Sequence, residues 1–151
     1  MKISLFDHTE LNFVELNITG TEEDYNKLDP ESRFVDTVVF NLFTKCFEKS
    51  NHLYEYYEAT KYNTRFIIPL RNNLLTHLTK LEQIGSLADF QDFISQNFLG
   101  KEFLLSLVKC DKSWTDHWRQ YHKQLVLLNK QLLELVDFCI DEDRILWVLG
   151  Y

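Results

Sequence analysis

The chain has 151 residues, with 23 Asp and Glu against 16 Lys and Arg, for a formal net charge of −7. That length suits one domain over residues 1–151, and the charge disfavours non-specific attachment to phosphate backbones or anionic lipid, which needs clustered Lys and Arg. Aromatic residues reach 15% while Gly (four) and Pro (two) are scarce, so few positions let the chain turn and long helices are favoured over many short strands.

In chain order, residues 3–19 are the least helical part. Phe13, Val14, Leu16 and Ile18 alternate loosely before Thr19-Gly20 and read as a short strand or extended arm. Thr21, with Asp24 three residues on, caps a brief turn. Asp29 then offers an N-cap oxygen and Pro30 the preferred first helical position. These predict a helix over 30–60 in which Val35, Val38, Val39, Leu42, Phe43, Cys46 and Phe47 recur by threes and fours. After a polar break at 61–63, a second helix over 65–84 carries Leu70, Leu74, Leu78 and Leu81, with Pro69 near its start and Gly85 as its stop.

Ser86 and Asp89 resemble a capping box that opens a third helix with Leu87, Phe90, Phe93, Ile94 and Phe98 facing inward. Gly100 ends it, and a short fourth helix follows over 101–109. Ser113 and Asp116 start the last helix, 113–140. There Trp114, Trp118, Tyr121, Leu125, Leu128, Leu132, Leu135 and Cys139 alternate gaps of four and three. A repeat of about 3.5 residues marks one face of a long helix laid against other helices. Ile145 to Val148 form either a last turn or a strand that could pair with the N-terminal segment. The expected fold is therefore an all-α bundle of four to five helices with a short extended N-terminal arm and a possible C-terminal strand.

Function is less constrained. Cys46, Cys110 and Cys139 are odd in number and lack C-x-x-C spacing, and Cys46 and Cys139 fall at apolar positions as small buried hydrophobes. Lys2 is followed by Asp7, His8 and Glu10 and not by an apolar run, and no apolar stretch approaches 18 residues. A cytoplasmic protein with no membrane partner is expected. Nucleophile elbows, phosphate loops, dinucleotide fingerprints and H-E-x-x-H are missing. His117 and His122 are poorly spaced for chelation, and Glu48 with His52 supplies two ligands at most. No cofactor and no metal are expected.

One segment carries a catalytic pattern: Arg71-Asn72-Asn73-Leu74-Leu75-Thr76-His77. It resembles the signature of HEPN domains, helical bundles that carry Arg, a polar residue and then His on one helix. The resemblance implies a metal-independent ribonuclease or RNA-binding module acting as a homodimer. His77 would move protons, Arg71 would steady phosphate charge and Asn72 would orient them. Six steps along an α-helix turn about 240° and rise about 9 Å. The other reading of Arg71 and His77 is as solvated residues flanking the Leu70/Leu74/Leu78 stripe.

A second constellation points to protein binding. Tyr54, Tyr56, Tyr57 and Tyr62 span too wide an arc for all four to be buried in one helix, and with Trp114 and Trp118 they could build an aromatic patch. Tyr, Trp and Arg dominate interface hot spots, and acidic faces speed capture of a basic partner. The leading expectation is a small acidic binding protein acting through protein–protein contacts, as an inhibitor, an immunity or antidote protein, or a subunit of a complex. RNA is a partner only under the HEPN-like alternative.

Overall fold

A computed structural model describes residues 1–7 and 12–150. Among those residues six helices accompany one four-stranded antiparallel sheet, so the expected all-α bundle is corrected to a mixed α/β fold. The strands are β1 (Phe13–Asn17), β2 (Arg33–Asp36), β3 (Ala59–Tyr62) and β4 (Leu146–Gly150), in the spatial order β2-β1-β4-β3. The helices are α1 (Thr37–Phe40), α2 (Thr44–Ser50), α3 (Thr64–Glu82), α4 (Leu87–Ser95), α5 (Gly100–Cys110) and α6 (Trp118–Asp141). Part of the expected N-terminal arm, residues 8–11, lies outside the described residues.

The predicted helix over 30–60 is replaced by two strands and two short helices. Pro30 sits in a turn, where Glu31 N–H donates to Asp29 Oδ1 at 2.8 Å and Ser32 N–H to Asp29 O at 2.9 Å. Phe34 and Val35 then pair with Glu15 and Val14 across β1. Asp36 ends the strand and caps α1, its Oδ1 accepting from Val38 N–H at 2.9 Å. Valines and aromatics spaced by threes and fours suit a pleated surface as well as a helix. Pairing with residues far away in sequence decides between them, and local periodicity carries no trace of it.

The sheet is covered on both faces. Directly opposed residues share a face, so Val14, Leu16, Val35, Leu146, Val148 and Tyr62 form the inner side. All are buried in the core with the helices' apolar residues. On the outer side the segment 18–32 folds over Glu15, Asn17 and Trp147. Glu15 is 0% exposed. Its carboxylate accepts from Leu28 N–H at 2.9 Å, Asp29 N–H at 3.3 Å and Ser32 Oγ at 2.7 Å. Asn17 Oδ1 accepts from Thr19 and Gly20 N–H at 3.1 and 2.9 Å, and its Nδ2 donates to Asn26 O at 2.9 Å. Trp147 Nε1 donates to Thr21 O at 3.0 Å, and a Cβ on Gly20 would come within 2.5 Å of the Trp147 ring.

Helix boundaries follow local chemistry where capping groups are present. Asn63 caps α3 through Arg65 N–H at 3.2 Å. Pro69 lies inside α3 and removes the donor that would reach the Arg65 carbonyl. Ser86 and Asp89 form a reciprocal capping box at α4. Leu99, at φ 50°, turns the chain into α5, and a Cβ on Gly100 would lie 1.9 Å from the Ile94 carbonyl oxygen. The last helix starts at Trp118 and not at Ser113, because Asp111 takes the Ser113 N–H at 2.9 Å and holds residues 111–117 in turns. Of its predicted stripe, Trp118, Leu125, Leu128, Leu132 and Cys139 are buried. So are Asn129, Leu133 and Val136, a wider face than a two-helix seam needs.

Replacing Glu15 with Ala strands three donors under the 18–32 segment. At about 1–3 kcal/mol for each unsatisfied buried group, the expected loss of stability is at least about 3 kcal/mol, read from urea-unfolding midpoints. Glu15→Gln, which keeps an acceptor, should lose less.

Candidate functional site

The residues of the Arg71–His77 segment go to different environments. His77 is 8% exposed. Its Nδ1 lies 2.7 Å from Asn129 Oδ1 on α6 and its Nε2 lies 3.0 Å from the Leu42 carbonyl oxygen. The rings of Phe43 and Phe93 pack on it, with centroids at 4.8 and 5.3 Å. Asn129, itself fully buried, donates from Nδ2 to Leu74 O at 3.0 Å. That bond fixes the amide's orientation and leaves Oδ1 toward the imidazole. Arg71 is half-exposed and pairs through Nε with Asp137 Oδ1 on α6 at 2.5 Å, and Asn72 is exposed. The three side chains do not converge: the Arg is committed to an ion pair, and the His has both ring nitrogens occupied inside the core. Within one chain, Arg71, Asn72 and His77 do not meet on one open face.

His77 is held between two acceptors, while a neutral imidazole donates from only one nitrogen. Burial is the larger effect and pulls its pKa below the ordinary 6.5, with the contacts to Asn129 and Leu42 opposing it. His117 behaves in the opposite way. It is exposed, and Asp111 Oδ2 at 2.8 Å raises its pKa. The same Asp111 oxygen accepts from Tyr121 Oη at 3.0 Å, and its own pKa is lowered, chiefly by His117. Among the described residues no group of three or more His, Cys, Asp and Glu could hold a metal ion. Cys46 and Cys139 are buried, and burial pushes each thiol up to about 12. Cys110 is exposed.

The six aromatic residues expected at a partner surface also divide. Tyr62, Trp114 and Trp118 are buried in the core. Tyr62 Oη donates to Phe47 O at 2.9 Å, and burial raises its pKa. Tyr54 is half-buried against the same core, with its pKa raised by burial. Tyr56 and Tyr57 alone remain at the surface. Tyr57 is 78% exposed and stands edge-on to Tyr56 at 4.7 Å. Tyr56 in turn meets Phe98 edge-on at 5.3 Å, and its hydroxyl donates to the buried Asn41 Oδ1 at 2.6 Å. Phe98 and the adjacent Leu99 are exposed at the turn between α4 and α5, so the inward placement expected for Phe98 is corrected.

This cluster is built by close backbone approach. Gly150 N–H donates to Glu58 O at 3.3 Å, and a Cβ on Gly150 would lie 2.0 Å from the Tyr56 carbonyl oxygen. The end of β4 therefore presses the 56–58 turn outward beside α5. Acidic groups surround it: Glu55 and Glu58 are exposed in the same turn, and the charge of Glu102 on α5 reaches the Tyr56 hydroxyl. The contributions of Phe98, Leu99 and Asn41 were not foreseen. Two adjacent large apolar residues before Gly100 are the one signal of them in the sequence. Comparisons with family models, with curated proteins and with solved structures find no match. No helix among the described residues is long and apolar enough to cross a membrane.

The two shifted histidines titrate in separate windows. For His77 the unfolded chain takes up its proton near 6.5 and the folded chain only at lower pH, so its stability is whole above 6.5 and declines as pH falls toward the folded pKa. For His117 the contribution is whole below 6.5 and is lost as pH rises through the folded pKa. Urea midpoints should fall as pH drops below about 6.5, a slope that His77→Gln removes. The loss above 6.5 should flatten in His117→Asn.

Proposed function

We propose that the chain is a protein-binding module whose docking face is built on Tyr56, Tyr57 and Phe98. Such a module serves as an inhibitor, an antidote or a subunit of a complex. The observation that carries the reading is Tyr57, 78% exposed and in edge-to-face contact with Tyr56. Large aromatic rings exposed to water mark interaction surfaces and are enriched at the centres of interfaces. The exposed carboxylates of Glu55 and Glu58 and the nearby Glu102 make a basic protein the matching partner. A Lys or Arg from it can meet both an aromatic face and an acidic rim. The net charge of −7 favours the same encounter at long range.

The test is recovery of tagged protein at native expression from its own cells, followed by mass spectrometry. One partner should be enriched with the wild type and with Leu127→Ala, whose side chain is exposed on α6. That partner should be lost from Tyr57→Ala/Phe98→Ala. Hot-spot truncation costs about 2 kcal/mol or more, about thirtyfold in affinity. Equal recovery with the double variant, or recovery of free monomer alone, contradicts the proposal.

A further inference from the structure

On the acidic chain one cavity is lined by cations. It lies between α2, the middle of α3 and the C-terminal end of α4, with a volume of about 180 Å³. Lys45 and Lys49 of α2 and Lys80 of α3 stand in its wall, and no Asp or Glu lines it. Cys46 and His77, both buried, form its floor. Lys45 has a structural role: its Nζ donates to the carbonyl of Gln96, the C-cap of α4, a usual place for a cation. Lys49 and Lys80 stand in the last turns of α2 and α3, also favourable places for a cation, but neither has a side-chain partner: among the described residues neither lies within 4.0 Å of a carboxylate or donates a hydrogen bond. Both charges nevertheless reach the floor, where they act on the Cys46 thiol against the effect of burial, and Lys80 acts on His77 as well.

We propose that this cavity binds a small phosphate group, held as a dianion between Lys49 and Lys80. Two exposed lysines from different helices that line one concavity, with no carboxylate beside them in its wall, make a site whose affinity comes from neutralising both. Lysine serves phosphate as a point charge, and Gln96 and Thr76 are polar residues of the same wall. Size narrows the class. The cavity is several times the ~30 Å³ share of one water and well below the roughly 300–1,000 Å³ of sites for drug-sized ligands. Orthophosphate or a small phosphomonoester is of the size the cavity itself can take. The site is separate from the Tyr56–Tyr57–Phe98 face, so either assignment can fail without the other.

The experiment is isothermal titration of the full chain at about pH 7.5, where phosphate monoesters are largely dianionic. Orthophosphate, glycerol 3-phosphate and acetate are compared at equal ionic strength, and the His77 ring resonances are followed by NMR. Either phosphate should bind in the millimolar range or tighter and shift the His77 signals, while acetate should do neither. Lys49→Gln and Lys80→Gln should each weaken binding about tenfold, the scale of one lost charge contact. Lys130→Gln, whose ammonium pairs with Glu82 at 3.2 Å, should leave it unchanged. A lower Kd for glycerol 3-phosphate assigns the site to a monoester, and a lower Kd for orthophosphate assigns it to the free ion. No response beyond acetate overturns the proposal, as does undiminished binding by Lys49→Gln/Lys80→Gln.

Discussion

The two ends of the chain meet in one ladder, and the other contacts are arranged around that meeting. β1 lies between β2 and β4, and its partners in β4 (Gly150, Leu149, Val148 and Trp147 opposite Val14, Glu15, Leu16 and Asn17) come from the far terminus. Without β4, one edge of β1 would present unpaired amides and carbonyls, and the strand is otherwise buried on both faces. Helices α3 to α6 are carried as one long connection between β3 and β4. Docking of β4 completes the sheet at the far end of that connection and joins β3 to β1. The aromatic surface depends on the same event, since it is Gly150 that lies under the 56–58 turn.

Polar groups inside the molecule act as ties. Glu15 and Asn17 bind the backbone of 18–32 to the outer side of the sheet. On the helical side, Asn129 and His77 join α6, α3 and the Leu42 carbonyl before α2. A buried polar group adds little net stability when paired and costs much when its partner is removed. These ties therefore select one register and one helix arrangement over alternatives with equal apolar burial. The bridge at His77 also lies at the floor of the lysine-lined cavity, so the residue that carries the catalytic pattern in the sequence ties α3 to α6 beneath that cavity.

Much of the helical half was legible from sequence, for stated local reasons. Ser86 with Asp89 is a boundary signal whose chemistry acts within four residues, and it marks the start of α4. The glycines mark boundaries only loosely, since α3 ends at Glu82 before Gly85, and Gly100 opens α5 and does not end α4, which stops at Ser95. The α6 stripe was readable because one helix face repeats every few residues. The sheet was not. Strands of four and five residues offer little periodicity, and β1 alternates weakly because its outer positions, Glu15 and Asn17, are buried through hydrogen bonds and not through apolar side chains. The Arg71–His77 segment could be read as a motif, but the placement of His77 against Asn129 rests on how α3 crosses α6. Of the six aromatic residues expected at a surface, only Tyr56 and Tyr57 are there, because β3 carries Tyr62 inward and the core takes both tryptophans.

Native-state hydrogen exchange tests the closing of the chain most directly. If the β1–β4 ladder holds the fold together, the amides of Leu16 and Val148 exchange only through global unfolding, with the same free energy and denaturant dependence as the slowest amides of α3 and α6. Exchange of the β4 amides through a low-energy local opening, while α3 and α6 stay protected, would contradict the account.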